Sequence, residues 1–291
     1  MSNAPIENQA AVPPGSGPRP GTQYYVRFTL GQRYLHAIIG VTFLGLAFTG
    51  LPLRFSTAPW ARALSNAVGG FGAIISIHKL CAAIMTVAFL THVGNVAYRI
   101  VARREYGLAW GPNSMVPRLK DFQDFFGNMK WFFGLGPQPK FDRYAYWDKV
   151  DYWAVFWGMG IIGFSGYAMW FAPFFAKFIP GSWLNVALLI HGEEAILAVG
   201  FIFTIHYFNT HLRPGNFPMD LTIFTGRLTE EELKHKHPEE YQRLVESGDL
   251  EKYRAERPPL WLNNFGRVVG GTAVAAGIVM LVLMVVAFVK Q

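Results

Sequence analysis

Residues 188–208 read LLIHGEEAILAVGFIFTIHYF. The stretch is apolar enough to cross a bilayer, yet it carries His191, Glu193, Glu194 and His206. Ionisable groups in such a segment are costly and mark function. Three further histidines stand in or beside other apolar runs: His36, His78 and His92. His78 and His92 are fourteen residues apart, and His191 and His206 fifteen. On a helix both spacings amount to roughly 21–23 Å of rise, and they return to within about 40° and about 60° of the starting face. Two helices that each offer an imidazole near either membrane surface suit two stacked b-type haems, each held by two neutral imidazoles.

These residues need long apolar helices to hold them. The chain has 291 residues, of which 52% are hydrophobic and 15% charged. A span takes roughly 20 apolar residues, and five runs qualify, at about 34–54, 74–98, 152–174, 184–208 and 268–289. The predicted fold is therefore an all-α integral membrane protein, with a four-helix haem-binding transmembrane bundle over 34–208 and a fifth C-terminal transmembrane helix over 268–291. Gly270 and Gly271 in the fifth run form a small-residue patch of the kind that packs against another helix. The first 33 residues are polar and rich in Pro and Gly, without the apolar core of a signal peptide, and read as a flexible tail. The single cysteine, Cys81, excludes both an internal disulfide and a CxxCH haem attachment.

Lys and Arg set the expected orientation. Nine lie between the second and third runs, from Arg99 to Lys149, and nine more between the fourth and fifth, from Arg213 to Arg267. The other loops hold few. The positive-inside bias places loops 99–151 and 209–267 in the cytoplasm, with the N-terminus inside and the C-terminus in the periplasm of a bacterial inner membrane. It also accounts for the basic balance without nucleic acid. By this orientation His78 and His191 lie near the outer surface, and His36 and His206 near the inner one.

The motifs resemble a known family. GQRYLHAIIGVTFLGLAFTG, with Arg33, His36 and Gly50, is similar to the first helix of the cytochrome b (gamma) subunit of membrane-bound formate dehydrogenases. LLIHGEEAILAVGFIFTIHYF resembles the fourth helix of that family, and KHPEEYQRL its basic tail. The likeness covers residues 25–245. It implies a two-haem, quinone-reactive membrane anchor, with His78 and His191 on the outer haem and His36 and His206 on the inner. Two departures stand out. The family has no histidine at the position of His92, and its fourth-helix spacing is one residue shorter. The spacing His78-x13-His92 with His191-x14-His206 instead resembles the cytochrome b of quinol–cytochrome c and plastocyanin oxidoreductases. The partner of His206 is thus His36 or His92. A third haem is the further alternative, pairing His36 with His211 and His92 with His206.

Cations suited to haem propionates are Arg54, Arg62 and Lys79 on the outer side and Arg33, Arg99 and Arg213 on the inner. Gly40, Gly45, Gly163, Gly166 and Gly200 are places where a flat macrocycle or a neighbouring helix could approach. At the inner mouth of the third run, Asp148, Lys149 and Asp151 sit among aromatics, where Lys149 and Asp151 are candidates to bind a quinone carbonyl and pass its protons. Glu194 shares a helix face with His191 and either serves a proton or quinone near the outer haem or, with Glu193, bonds a neighbouring helix or partner. Thr229 with Glu232 predicts a capped surface helix, with His235 and His237 on its solvated face.

These features predict an electron-transfer subunit of a quinone-linked complex. Its periplasmic partner would be a multihaem cytochrome, an iron–sulfur protein or a molybdoenzyme. A haem-free proton or metal-ion carrier and a purely structural anchor are the competing classes.

Overall fold

The computed structural model describes residues 21–213 and 215–290; most of the tail expected over 1–33 lies outside them. The described part of that tail is structured. Tyr24–Val26 (β1) is the central strand of a small antiparallel sheet, and α1 (Leu30–Arg54) begins before residue 34. Thr29 caps α1, its hydroxyl accepting from the Gln32 amide while the Gln32 side chain reaches back to the Thr29 amide. This reciprocal cap satisfies two amides that the first turn leaves open.

From α1 the chain turns through α2 (Pro59–Val68) into α3 (Phe71–Val101). A long loop carries α4 (Leu119–Phe132). The third span is a helix in three parts: α5 (Tyr146–Gly158), a π-helical stretch at Met159–Gly163, and α6 (Phe164–Trp170). A short α7 (Ala172–Phe175) leads to α8 (Gly181–Phe201), which continues through π-helical Ile202–His206 and Phe208–Leu212. Then follow α9 (Thr222–Thr225), β2 (Arg227–Thr229), α10 (Glu230–Lys236), α11 (Pro238–Glu246), β3 (Arg254–Ala255) and α12 (Leu260–Val289).

Four helical segments among the described residues are long and apolar enough to cross a membrane: Leu30–Arg54, Phe71–Val101, Gly181–Leu212 and Leu260–Val289. The third span is broken by its π turns and opens on tyrosines, tryptophans and charges, which dilute its hydropathy. The chain is an all-α membrane protein with one small sheet. The sheet has the order β2-β1-β3, with Tyr25 opposite Leu228 and Arg254. Gly226 ties it to α1: its carbonyl accepts from the Arg27 and Phe28 amides, and its left-handed backbone leaves a Cβ only 2.7 Å from the Phe28 oxygen. This end of the bundle is termed the sheet end below.

The core is built where α1, α8 and α12 meet. Ala47, Leu51, Phe55, Val199, Phe203, Tyr207, Met280 and Met284 are buried together. Small residues allow the approach. Gly277 lies under Phe203 and Tyr207, Gly270 receives Phe224 from α9 and Met219 from the loop before it, and a Cβ at Gly271 would meet open space.

At the sheet end, Glu240 binds Arg27 at 2.7 Å and Arg143 at 2.6 Å, joining α11 to β1 and to the loop before α5. The capped helix predicted at Thr229 is α10. His235 is exposed as expected, but His237 is not on the solvated face: its Nδ1–H donates to the Asp142 carbonyl at 2.9 Å. Burial first, then Arg27, holds its imidazole well below the usual 6.5.

Candidate haem-binding site

The long helices bring the histidines together in two pairs. The rings of His78 on α3 and His191 on α8 face one another with centres 6.2 Å apart. Those of His36 on α1 and His206 on the π-helical extension of α8 are 6.5 Å apart. Two imidazole–metal bonds of about 2 Å each, plus the two half-rings behind them, put ring centres about 6 Å apart. Both pairs thus have the span of an iron held between two imidazoles.

Second partners orient three of the four rings. The Thr49 hydroxyl donates to the Gly45 carbonyl at 2.7 Å and so accepts from His78 Nδ1 at 2.8 Å. His191 Nδ1 donates to the Ile162 carbonyl at 2.9 Å. That carbonyl belongs to the π turn of the third span, where the i→i+5 pattern shifts oxygens out of the ordinary ladder. His206 Nδ1 donates to Asp151 Oδ2 at 2.8 Å. Each bond fixes the proton on Nδ1 and leaves Nε2 for a metal. The residues therefore fit bis-imidazole haem ligation.

Glycines open space beside two rings. A Cβ at Gly50 would come within 3.3 Å of His78 Cε1, and one at Gly166 within 3.0 Å of His191 Cε1. Gly45 faces Cys81 Sγ, Gly163 faces its own Met159, and Gly40 and Gly200 have open surroundings.

His92 does not face His206. Its Nε2 is hydrogen-bonded to the Tyr152 hydroxyl at 2.9 Å. The His211 ring lies against Tyr207, with its Nδ1 buried and without a partner. The ring neighbour of His36 is thus His206, and that of His92 is Tyr152.

Most of the cations picked for propionates have protein partners. Arg54 binds Glu193 at 2.9 Å, Arg99 binds Glu105 at 2.9 Å, and the Arg33 guanidinium donates to the Phe224 carbonyl. Arg33 Nε remains buried and unbonded. Arg213 lies over the Trp147 ring at 4.6 Å and Lys79 over Trp170 at 5.3 Å. Arg62 donates to the Ser56 carbonyl at 3.3 Å.

Each of the three quinone candidates has a protein partner, although Asp151 Oδ1 is buried without one. Lys149 is only 2% exposed, and its ammonium is held by Asp121 at 2.8 Å. It pins α4 to α5 and is not free for a carbonyl. Asp151 orients His206. Glu194 accepts from Trp157 Nε1 at 3.1 Å, so both glutamates of α8 bond neighbouring helices, Glu193 reaching α1 and Glu194 α5. Sequence reading missed a cavity of about 300 Å³ between α3, α5 and the loop after α3, lined by Val96, Ala97, Met115, Tyr152, Trp153 and Phe156 among others. Tyr152 is its polar point. The unexplained His92 was the signal for it.

Residues 27–211, which hold all four paired histidines, match the family described as prokaryotic cytochrome b561. No curated protein matches the chain. The match covers more than half of the sequence and coincides with the bundle, so the chain belongs to the prokaryotic cytochrome b561 family and is a bacterial membrane protein of b-type haem electron transfer.

Proposed function

We propose that this chain is the cytochrome b subunit of a respiratory complex and carries electrons across the cytoplasmic membrane through two b-type haems, between the quinone pool and a periplasmic redox partner. The observation that carries the reading is the pairing of His78 with His191 on α8, at 6.2 Å, and of His36 with His206 on its π-helical extension, at 6.5 Å. The resemblance to the gamma subunit of formate dehydrogenases supports the same ligand set. The Lys and Arg bias supports a cytoplasmic sheet end, which makes His36 and His206 the inner pair.

A b-type haem held by these histidines would supply one-electron transfer. The protein's part is to hold each imidazole neutral, oriented and dry. Thr49, the Ile162 carbonyl and Asp151 do so by accepting the Nδ1 protons. Gly50 and Gly166 leave room at the ring edges.

The cavity at Tyr152 suits a quinol headgroup. It is apolar, as a lipid-soluble substrate requires, and its volume is at the lower end for small-molecule sites. Oxidation of a quinol to the quinone releases two electrons and two protons. The Tyr152 oxygen can accept a quinol O–H proton while its own proton moves to His92 Nε2, 2.9 Å away. The relay runs twice, His92 giving up the first proton to the aqueous side before the second is taken, and the two electrons leave one at a time toward a one-electron acceptor at the His36–His206 pair. Tyr152 directly follows Asp151, the partner of His206, so cavity wall and inner pair are adjacent on α5.

Haem content per chain and the redox titration of purified protein test the reading. His191→Ala and His36→Ala should each remove a different haem, and His92→Ala should leave both while slowing reduction by a short-chain quinol. Absence of a b-type absorption band in the unsubstituted protein overturns the reading, as does full haem retention in either ligand variant.

A further inference from the structure

Helix α4 (Leu119–Phe132) is amphipathic in the reverse sense. Its buried residues, Asp121 and Asn128, are polar and point into the protein. Asp121 is buried against Lys149 at 2.8 Å, buried Asn128 donates to the Tyr146 hydroxyl at 3.1 Å, and Asp124 holds Lys120 at 2.8 Å. Its large apolar residues point away. Leu119 is 74% exposed, and Phe122 and Phe126 are each 61% exposed. At 100° per residue these three share one stripe, and Phe133, also exposed, extends it by two turns. Asp121 and Asn128 lie on the opposite side.

A surface helix normally turns its polar face to water. This one would present a run of aromatic rings, a patch that soluble proteins avoid. Its surroundings identify the medium that covers it. The helix sits in the connection between two spans, α3 ending at Val101 and α5 beginning at Tyr146, and is clamped to the first turn of α5 through Asp121–Lys149. The exposed stripe therefore lies at the depth where the third span enters the bilayer. That span also exposes Trp153 and Trp157. Lys130 and Lys140, both exposed, flank it with the long stems that reach past an apolar layer to its headgroups. Gly127 packs close to Pro139, with a Cβ position 3.0 Å from its Cγ, so the returning chain backs the helix on the protein side.

We propose that α4 is an in-plane helix seated in the interfacial layer of the bilayer, with the Leu119–Phe122–Phe126–Phe133 stripe among the acyl chains. This is the geometry of a monotopic anchor: apolar rings below, polar contacts above. It differs from free amphipathic anchors in that its upper face is bonded to protein. The bilayer surface thereby fixes the height of the segment that ends at Lys149, two residues before Asp151.

The test uses full-length protein in liposomes of mixed zwitterionic and anionic lipid, in a Cys81→Ala background that leaves no native thiol. Nitroxides placed by Phe122→Cys and Phe126→Cys are compared with Leu189→Cys on the exposed face of α8 and Glu246→Cys on α11. Power saturation by dissolved oxygen and by a water-soluble nickel chelate reads the depth of each label. Labels at 122 and 126 should favour oxygen over the chelate, with a ratio shifted from that of Glu246→Cys toward that of Leu189→Cys. A ratio equal to that of Glu246→Cys overturns the proposal, because the stripe is then in water. Labels hidden from both reagents overturn it too, because protein then covers the stripe. Neither result depends on haem content, so the proposal stands or falls apart from the electron-transfer reading.

Discussion

Replacing Asp151 by Asn tests how the inner histidine pair is tuned. The carboxylate accepts the His206 Nδ1 proton at 2.8 Å, and both side chains are mostly buried, at 15% and 21% exposure. Asn keeps the shape and offers a neutral oxygen at the same place, so ring orientation is preserved while one negative charge is lost. A hydrogen bond to a charged acceptor contributes about 1.5–3 kcal/mol against about 0.5–1.5 kcal/mol for a neutral one, leaving roughly 1 kcal/mol or somewhat more to the charge. That charge favours the oxidised centre, which carries one more positive charge than the reduced one. Its removal should raise one midpoint potential by about 40–60 mV, since about 59 mV is a factor of ten for a one-electron couple. An anaerobic redox titration followed at the b-type absorption band should show two components in the native protein. Only the one assigned to His36 and His206 should move, with unchanged haem content. A shift confined to the other component refutes the pairing. Two unmoved potentials refute the role of Asp151.

Other expectations follow from single contacts. Gly166→Ala brings a methyl to 3.0 Å from His191 Cε1, so the ring must give by a few tenths of an ångström; the component assigned to His78 and His191 should shift in potential, while Gly40→Ala, with nothing within 4 Å, leaves both unchanged. Lys149→Met strands the buried Asp121 carboxylate, which costs about 3–5 kcal/mol; thermal melting should fall sharply and recover in part when Asp121→Leu is added. His237 is held neutral by the fold, so its contribution is complete above its usual 6.5 and declines as pH falls below it. Amide exchange in Pro238–Glu246, corrected for intrinsic rate, should therefore accelerate between about pH 7 and about pH 5, and His237→Asn should flatten that dependence.

The long-helix architecture was legible because apolar length and histidine depth are local quantities. His191 and His206 lie at opposite ends of one apolar run, and their helix follows directly. The Thr229–Glu232 cap was legible for the same reason. Partners distant in sequence were not. Asp121 and Lys149 look like two solvated charges in a basic loop until α4 folds over α5. Tyr24–Val26 is too short to read as a strand, and its pairing with residues 227–229 and 254–255 spans nearly the whole chain. The rival histidine pairings could not be separated by spacing, because His36 and His92 both stand toward the sheet end of their helices; the turn of α3 that aims His92 at Tyr152 is a contact spacing does not reveal. In the third span the π stretch places the Ile162 carbonyl rather than a side chain on His191, a contact that no spacing in the sequence announces.

The π turns of the fourth span bear on which insertions and deletions this chain can survive. In an uninterrupted α-helix one added residue rotates everything beyond it by about 100°. Between His191 and His206 that would swing the second imidazole off the face it shares with the first. At Ile202–His206 the ladder closes i→i+5, taking one residue more into the turn, and His206 still arrives opposite His36. The widened turn is thus where one extra residue between the two histidines can be absorbed. Loss of one residue within 202–205 would restore a plain α-helix and keep both imidazoles in phase. Loss of one within 195–199, upstream of the widened turn, would need that turn to relax at the same time. The same helix thus holds a position tolerant of a one-residue change and an intolerant one, a few residues apart.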